Sequence, residues 1–341
     1  MYLFKACGHK APELQWLDSA SKLHINIIKD GLMDYVTLLT GIICAAIGGE
    51  LFVRGVVGIA RWARISAGII GATFAAFATS SPELSVSINS AMAGTPQIAL
   101  GDALGSNVVN VGLILGLALA FSPLHASRDT LKRDFSVALI VPVLLAALCL
   151  DGVLDQGDGI LLLLLFTGWL GAVVTEVRRQ RSAVAGVIGE MNHVAALLQS
   201  MLGLGFLVGA GMLIVAGAKG IAQQHGIDPF LIGATIVAIG TSAPEIATVV
   251  ISRLRKHDEI GLGTILGSNI FNGLFIVGVT ASIHPVQIRW EEVAIGLAFG
   301  LLTSAFTFPL RGNQIARSRG VILIALYVAY LLALLQLPRE A

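Results

Sequence analysis

Charge is scarce in this sequence. Of its 341 residues only 13% are Asp, Glu, Lys or Arg, against about 25% in a soluble domain. The net charge is +1, so no bulk electrostatic argument favours nucleic acid as a partner. Cysteine is nearly missing. Cys7, Cys44 and Cys149 are odd in number and widely spaced, which leaves no readable zinc or disulfide framework. Cys44 and Cys149 fall in apolar runs and are expected to pack as small hydrophobes. A phosphate cradle is also lacking, because Gly-rich stretches such as the one from Gly112 to Gly116 lie inside apolar runs rather than after a strand. An enzyme is therefore not expected.

Apolar sequence is what the chain has in excess, at 55%. Several runs exceed the roughly 18 residues that mark a membrane span. Ten spans are expected, at about 35–58, 66–93, 98–122, 135–150, 158–177, 194–219, 228–252, 259–282, 291–309 and 318–337. The 39 glycines suit close helix contacts in a bilayer. Residues 1–34 are set apart as an N-terminal extension: they hold Lys5, Lys10, Lys22 and Lys29, have no long apolar core, and do not read as a signal peptide. Met33, just before the first span, is an alternative start.

Basic residues alternate between loops. Arg61 and Arg64 follow the first span, Arg128, Lys132 and Arg133 the third, and Arg178, Arg179 and Arg181 the fifth. Arg253, Arg255 and Lys256 follow the seventh; Arg311, Arg317 and Arg319 follow the ninth. The intervening loops hold Lys219 or Arg289 alone, or the acidic set Asp151, Asp155 and Asp158. The positive-inside rule then places every odd-numbered connection in the cytoplasm, and both termini outside it.

The chain also matches itself. Residues 71–110 and 233–272 align without a gap at an offset of 162, with 17 of 40 positions identical. The same offset pairs Gly41 with Gly203, Gly49 with Gly211 and Gly55 with Gly217. This divides the chain into a first repeat at 35–177, a short cytoplasmic loop at 178–193 and a second repeat at 194–337. Five spans per repeat, an odd number, turn the second copy upside down relative to the first. The expected fold class is thus an all-α polytopic membrane protein built from two inverted five-helix repeats. In such proteins the binding site lies near the midplane, where the repeats meet.

The matched positions include polar residues inside apolar runs. Thr79, Ser80, Ser81, Pro82 and Glu83 correspond to Thr241, Ser242, Ala243, Pro244 and Glu245. Thr79 and Glu83 share a helix face, as do Thr241 and Glu245. Pro82 and Pro244 each lack an N–H and crowd the carbonyl four residues back, which is expected to free the carbonyls of Ala78 and Gly240 and disturb those of Ala76 and Ala238. In the next pair of spans Ser106 and Asn110 share a face, as do Ser268 and Asn272. Here the spacings Gly101 to Gly105 and Gly263 to Gly267 allow close helix approach. An ionised Glu at mid-bilayer costs at least ~2.5–3.5 kcal/mol, and no basic residue is expected inside any span to pair with either Glu. A bound cation or a proton is the simplest compensation. Carboxylate, hydroxyl and carbonyl oxygens suit Ca2+, Na+ or Mg2+, and the shared positions contain no Cys or His for a softer metal. Asp102, which shares a face with Ser106, is expected to cap the third span or to draw cations in.

At these residues the chain resembles the cation/calcium exchanger superfamily, in its prokaryotic sodium/calcium exchanger branch. The segments with TSSPE and GSNVVN, and with TSAPE and GSNIFN, are similar to that family's two alpha repeats. The resemblance implies an antiporter exchanging Na+ for Ca2+ by alternating access, with spans one and six sliding across the other eight. It implies a Ca2+ site at Glu83, Glu245, Thr79 and Thr241. It implies flanking Na+ sites from Ser80, Ser242, Ser106, Ser268 and the carbonyls of Ala76 and Ala238, with Asn110 and Asn272 bordering the middle. No resident cofactor is expected, since Ca2+ and Na+ bind as cargo. The remaining expectations are a monomer in the lipid bilayer of the inner membrane and no large cytoplasmic regulatory domain. Asn272, where some members carry Asp, implies no need for potassium. The proton-coupled branch shows GNxxE where this chain has TSxPE, which leaves proton coupling as the alternative.

Overall fold

The computed structural model describes residues 12–63, 66–92, 94, 96–126, 130–183, 193–224, 238–309 and 313–336. Helix α1 runs unbroken over Pro12–Ala63, with its apolar span at Leu32–Trp62. Helix α2 comprises Ala67–Ile70, a π-helical turn Gly71–Ala75 and Ala76–Thr79. The Ser66 hydroxyl oxygen caps its start by accepting the Ile69 N–H. Helix α3 is Ser81–Met92. Helix α4 runs from Pro96–Val108 through the π-helical Val109–Leu115 into Gly116–Phe121. Helix α5 is Leu131–Phe135, also π-helical, continued by Ser136–Leu148. Helix α6 is Gln156–Ala183 and α7 is His193–Gln224. The second half continues with α8 (Ala238–Thr241), α9 (Ala243–Leu254) and α10, which is Asp258–Ile270, the π-helical Phe271–Ile276 and Val277–Ile283. The last two helices are α11 (Trp290–Thr307) and α12 (Arg317–Leu335).

Seven helices among the described residues are long and apolar enough to cross a membrane. The expected spans at 66–93 and 228–252 fall on the broken pairs α2/α3 and α8/α9, with residues 228–237 outside the described set. The span expected at 291–309 falls on α11. Burial follows an inside-out pattern. The Asp258–Ile283 span is 94% buried within the protein, whereas the Gln156–Arg179 span is only 17% buried. The outward faces carry Leu150, Leu164 and Val321. An apolar exterior around a polar-bearing centre fits lipid as the surrounding solvent. The acidic loop before α6 has a local role: Asp155 and Asp158 exchange N–H to carboxylate bonds of 3.0 and 3.1 Å, a reciprocal cap on the helix start.

Four short strands join the connections. Strand β1 (Leu124–His125) pairs antiparallel with β4 (Gln314–Ile315), and β2 (Val153–Leu154) pairs with β3 (Val286–Gln287). Each pair is extended by one further backbone bond, Ala126 N–H to the Asn313 carbonyl at 2.8 Å and Ile288 N–H to the Gly152 carbonyl at 2.9 Å. Leu124 and Val286 are 162 apart, so the repeat offset relates the two pairs. Each pair also joins connections that the charge pattern places on one side.

Two sets of glycines show how closely the helices pack. A Cβ at Gly55 would lie 2.4 Å from Ser200 N, and one at Gly217 would lie 2.6 Å from Asp34 O, so α1 and α7 touch backbone to backbone. A Cβ at Gly267 would lie 2.2 Å from Ala72 O, which seats α10 directly on α2. The corresponding approach at Gly105 is looser: its Cβ position lies 3.4 Å from the Tyr330 hydroxyl and meets no backbone within 4 Å. The repeat counterparts of Gly68 and Ala72, residues 230 and 234, lie outside the described residues. Gly267→Ala is expected to destabilise the protein by about 1–3 kcal/mol, because backbone must shift. Thermal unfolding in detergent measures this; a variant melting with the parent would show that the α2–α10 gap is wider than described.

Candidate cation-binding site

Both broken helices bend at a serine. Ser80 has φ −86° and ψ 13°, and Ser242 has φ −81° and ψ 7°. Pro82 and Pro244 sit in the first turns of α3 and α9, where a missing N–H costs nothing. The carbonyls around the break are already engaged. The Ser81 hydroxyl donates to Ala78 O at 2.6 Å. Ala76 O accepts from Ser80 N–H at 3.0 Å, while the Thr79 hydroxyl donates to Ala75 O at 3.0 Å and stands 3.4 Å from Ala76 O. Ala238 O accepts from Ser242 N–H at 3.2 Å and from the Thr241 hydroxyl at 3.1 Å. A carbonyl oxygen has two lone pairs, so a cation reaching Ala238 in this conformation must displace the Thr241 hydroxyl, whereas Ala76 O has one close partner.

Glu83 and Glu245 are 1% and 0% exposed. Each is contacted by the serine of the other half: Ser80 donates to Glu245 Oε1 at 3.0 Å, and Ser242 approaches Glu83 Oε1 at 3.5 Å. Ser268 adds a second bond to Glu245 Oε1 at 3.1 Å, whereas its repeat counterpart Ser106 has no partner for its hydroxyl. Oε2 of both glutamates is buried without a partner. Arg54, which does lie in the first span, is taken up by Glu50 together with Arg255. The Thr79 hydroxyl borders Glu245, and that of Thr241 borders Asp102. Asp102 stands six residues inside a helix that begins at Pro96, so the capping expectation fails. Its Oδ2 is instead buried and unpartnered.

Asn110 and Asn272 lie in the π-helical stretches of α4 and α10, buried, each with Oδ1 unpartnered. Their amide nitrogens bond Asn269 and Asn107, two residues that the sequence reading passed over. The available signal was their identity at the repeat offset within both GSN segments. No group of three or more His, Cys, Asp or Glu able to hold a metal ion occurs among the described residues. The donors present are the carboxylates of Glu83 and Glu245, with that of Asp102 beside Thr241, supplemented by hydroxyl and amide oxygens. Buried carboxylate oxygens without partners are costly, and an all-oxygen set of this kind suits a hard cation.

The sequence model of the sodium/calcium exchanger protein family matches residues 33–175 and 195–336. The chain belongs to that family. It is therefore a polytopic membrane antiporter of cations and calcium, a transporter rather than an enzyme. It is 28% identical over 346 residues to the sodium/calcium exchanger MaX1 of Methanosarcina acetivorans, covering 89% of this chain and 98% of that one. It is 31% identical over 312 residues to the inner membrane protein YrbG of Escherichia coli, covering 88% of this chain and 96% of the relative. Among solved structures, the sodium-calcium exchanger NCX_Mj soaked with Na+ and Sr2+ superposes with a TM-score of 0.77 at 30% identity, covering 90% of this chain and all of that one. In this exchanger chain Glu83 and Glu245, 162 residues apart, are each approached by the serine that the same offset pairs with the other's own.

Proposed function

We propose that this exchanger carries Ca2+ in one direction and Na+ in the other by alternating access, through ten spans arranged as two inverted halves. The observation that carries the reading is the crossed arrangement at Glu83 and Glu245. Each carboxylate meets the other half's serine on one oxygen and leaves its second oxygen unpartnered and buried. Ca2+ sits at Glu83, Glu245, Thr79 and Thr241. Na+ uses Ser80, Ser242, Ser106, Ser268, the Ala76 carbonyl and, once the Thr241 hydroxyl moves, the Ala238 carbonyl. Asn110 and Asn272 border the middle. The protein works as a monomer in the inner membrane, without a cofactor and with both termini outside the cytoplasm. Two carboxylates neutralise one Ca2+, whereas three Na+ on the same pair leave a net positive charge. Exchange is thus electrogenic and responds to voltage by about 2.3 kcal/mol per charge per 100 mV.

The test is calcium uptake into vesicles loaded with sodium and diluted into sodium-free buffer. Uptake is expected to rise about tenfold over vesicles with sodium on both sides and to speed up when the membrane potential draws out the excess charge. Uptake that ignores sodium but follows a pH gradient would assign proton coupling instead. Indifference to both gradients would overturn antiport by this chain.

A further inference from the structure

Four asparagines between α4 and α10 form a closed set of hydrogen bonds, and every bond in it has a forced direction. Asn107 Nδ2 donates to the backbone carbonyl of Asn269 at 3.3 Å, and Asn269 Nδ2 donates to the backbone carbonyl of Asn107 at 3.2 Å. A backbone carbonyl only accepts, so the side-chain atom facing it is the nitrogen. Oδ1 of Asn107 therefore points the other way, where it accepts from Asn272 Nδ2 at 3.1 Å. Likewise Oδ1 of Asn269 accepts from Asn110 Nδ2 at 3.1 Å. With their nitrogens held, Asn110 and Asn272 have only oxygen left to present. Both Oδ1 atoms are buried and unpartnered. Both residues stand four positions beyond Ser106 and Ser268. The backbone allows this because both helices change from α to π pairing here, at Val109–Leu115 and Phe271–Ile276.

We propose that Asn107 and Asn269 are positioning residues that lock the amides of Asn272 and Asn110, respectively, with their oxygens toward the ion path. A passing cation then meets two fixed acceptors and no amide N–H. Released from the network, either amide could rotate and offer donors to a cation, which repels it. This inference rests on the site reading above. It also assigns the two arms separately, because each positioning residue anchors on its partner's backbone, which survives substitution of the partner's side chain.

The test uses the full chain in liposomes, with radiolabelled calcium uptake measured against calcium concentration. Asn107→Leu is expected to raise the half-saturating calcium concentration about tenfold, as loss of one hydrogen bond to a functional group implies, with a smaller change in maximal rate. The double variant Asn107→Leu/Asn272→Leu should match Asn272→Leu alone, because Asn107 acts only through Asn272. Combined with Asn110→Leu, the Asn107→Leu effect should instead multiply. Asn269→Leu should show the mirrored pattern. If Asn107→Leu does not fold, Asn107→Ser, too short to reach the Asn269 carbonyl, serves in its place. The calcium-induced rise in melting temperature gives a second reading of affinity. Unchanged half-saturation, or effects that multiply in the Asn107/Asn272 pair, would overturn the proposal. If Glu83→Gln and Glu245→Gln also leave half-saturation unchanged, it is the site reading itself that fails.

Discussion

Glu83→Gln and Glu245→Gln are each expected to abolish calcium transport while leaving the protein as stable as the parent, or more so. Gln matches Glu in size and keeps an oxygen for the serine from the opposite half, so packing survives. The buried charge does not survive, and with it goes half of the neutralising capacity for a divalent ion. Removing one member of a buried charge pairing costs about 3–5 kcal/mol, so transport falls by about a hundredfold or more. Without cations the parent holds buried carboxylate oxygens with no partner on Glu83, Glu245 and Asp102, a cost that a neutral amide at either glutamate reduces. Calcium should therefore raise the melting temperature of the parent but not of either variant. A variant that melts low and aggregates would make these glutamates structural. One that transports like the parent would remove them from the site.

The serines should not behave as equals, although the repeat relates them. Ser80 donates to Glu245 at 3.0 Å, whereas Ser242 stands 3.5 Å from Glu83, at the outer limit of a hydrogen bond. A hydrogen bond to a charged group is worth about 1.5–3 kcal/mol. Ser80→Ala is thus expected to weaken calcium binding about 10- to 100-fold, and Ser242→Ala less than about threefold by the same reasoning. Ser268→Ala should resemble Ser80→Ala, since its bond to Glu245 measures 3.1 Å. Calcium-dependent melting curves of the three variants measure the order. Equal losses at Ser80 and Ser242 would mean that the described asymmetry is not the one that binds calcium.

The glutamate pair was legible in the sequence because a charge in an apolar run has few explanations, and the constant offset supplied its mate. The approach of α10 at Gly267 was legible for a similar reason, since the spacing from Gly263 has one packing use. Other features resisted for physical reasons. Asp102 reads as a cap only if the helix begins beside it, but Pro96, with its preset φ, begins the helix six residues earlier. Pro82 does release the Ala78 carbonyl, yet Ser81 satisfies it at once, and no sequence rule weighs that local bond against a cation. Asn107 and Asn269 escaped notice because faces were assigned with the α period of 3.6, and a π-helical turn shifts which side chains meet. Two-residue strands fall below any periodic signal.

Those strands carry a mechanical consequence. β1 and β2 flank α5, and β3 and β4 flank α11. Because β1 joins β4 and β2 joins β3, α5 and α11 are clasped at both ends into a closed hoop of two helices and four strands. Shifting one past the other by a helical turn of about 5.4 Å would shear both strand pairs together. Among the described residues the α1–α7 pair carries no such stitch and is held by side-to-side packing alone. Under the proposed alternating access, the clasped α5 and α11 suit a stator, and α1 and α7, which no described strand fastens, suit a slider.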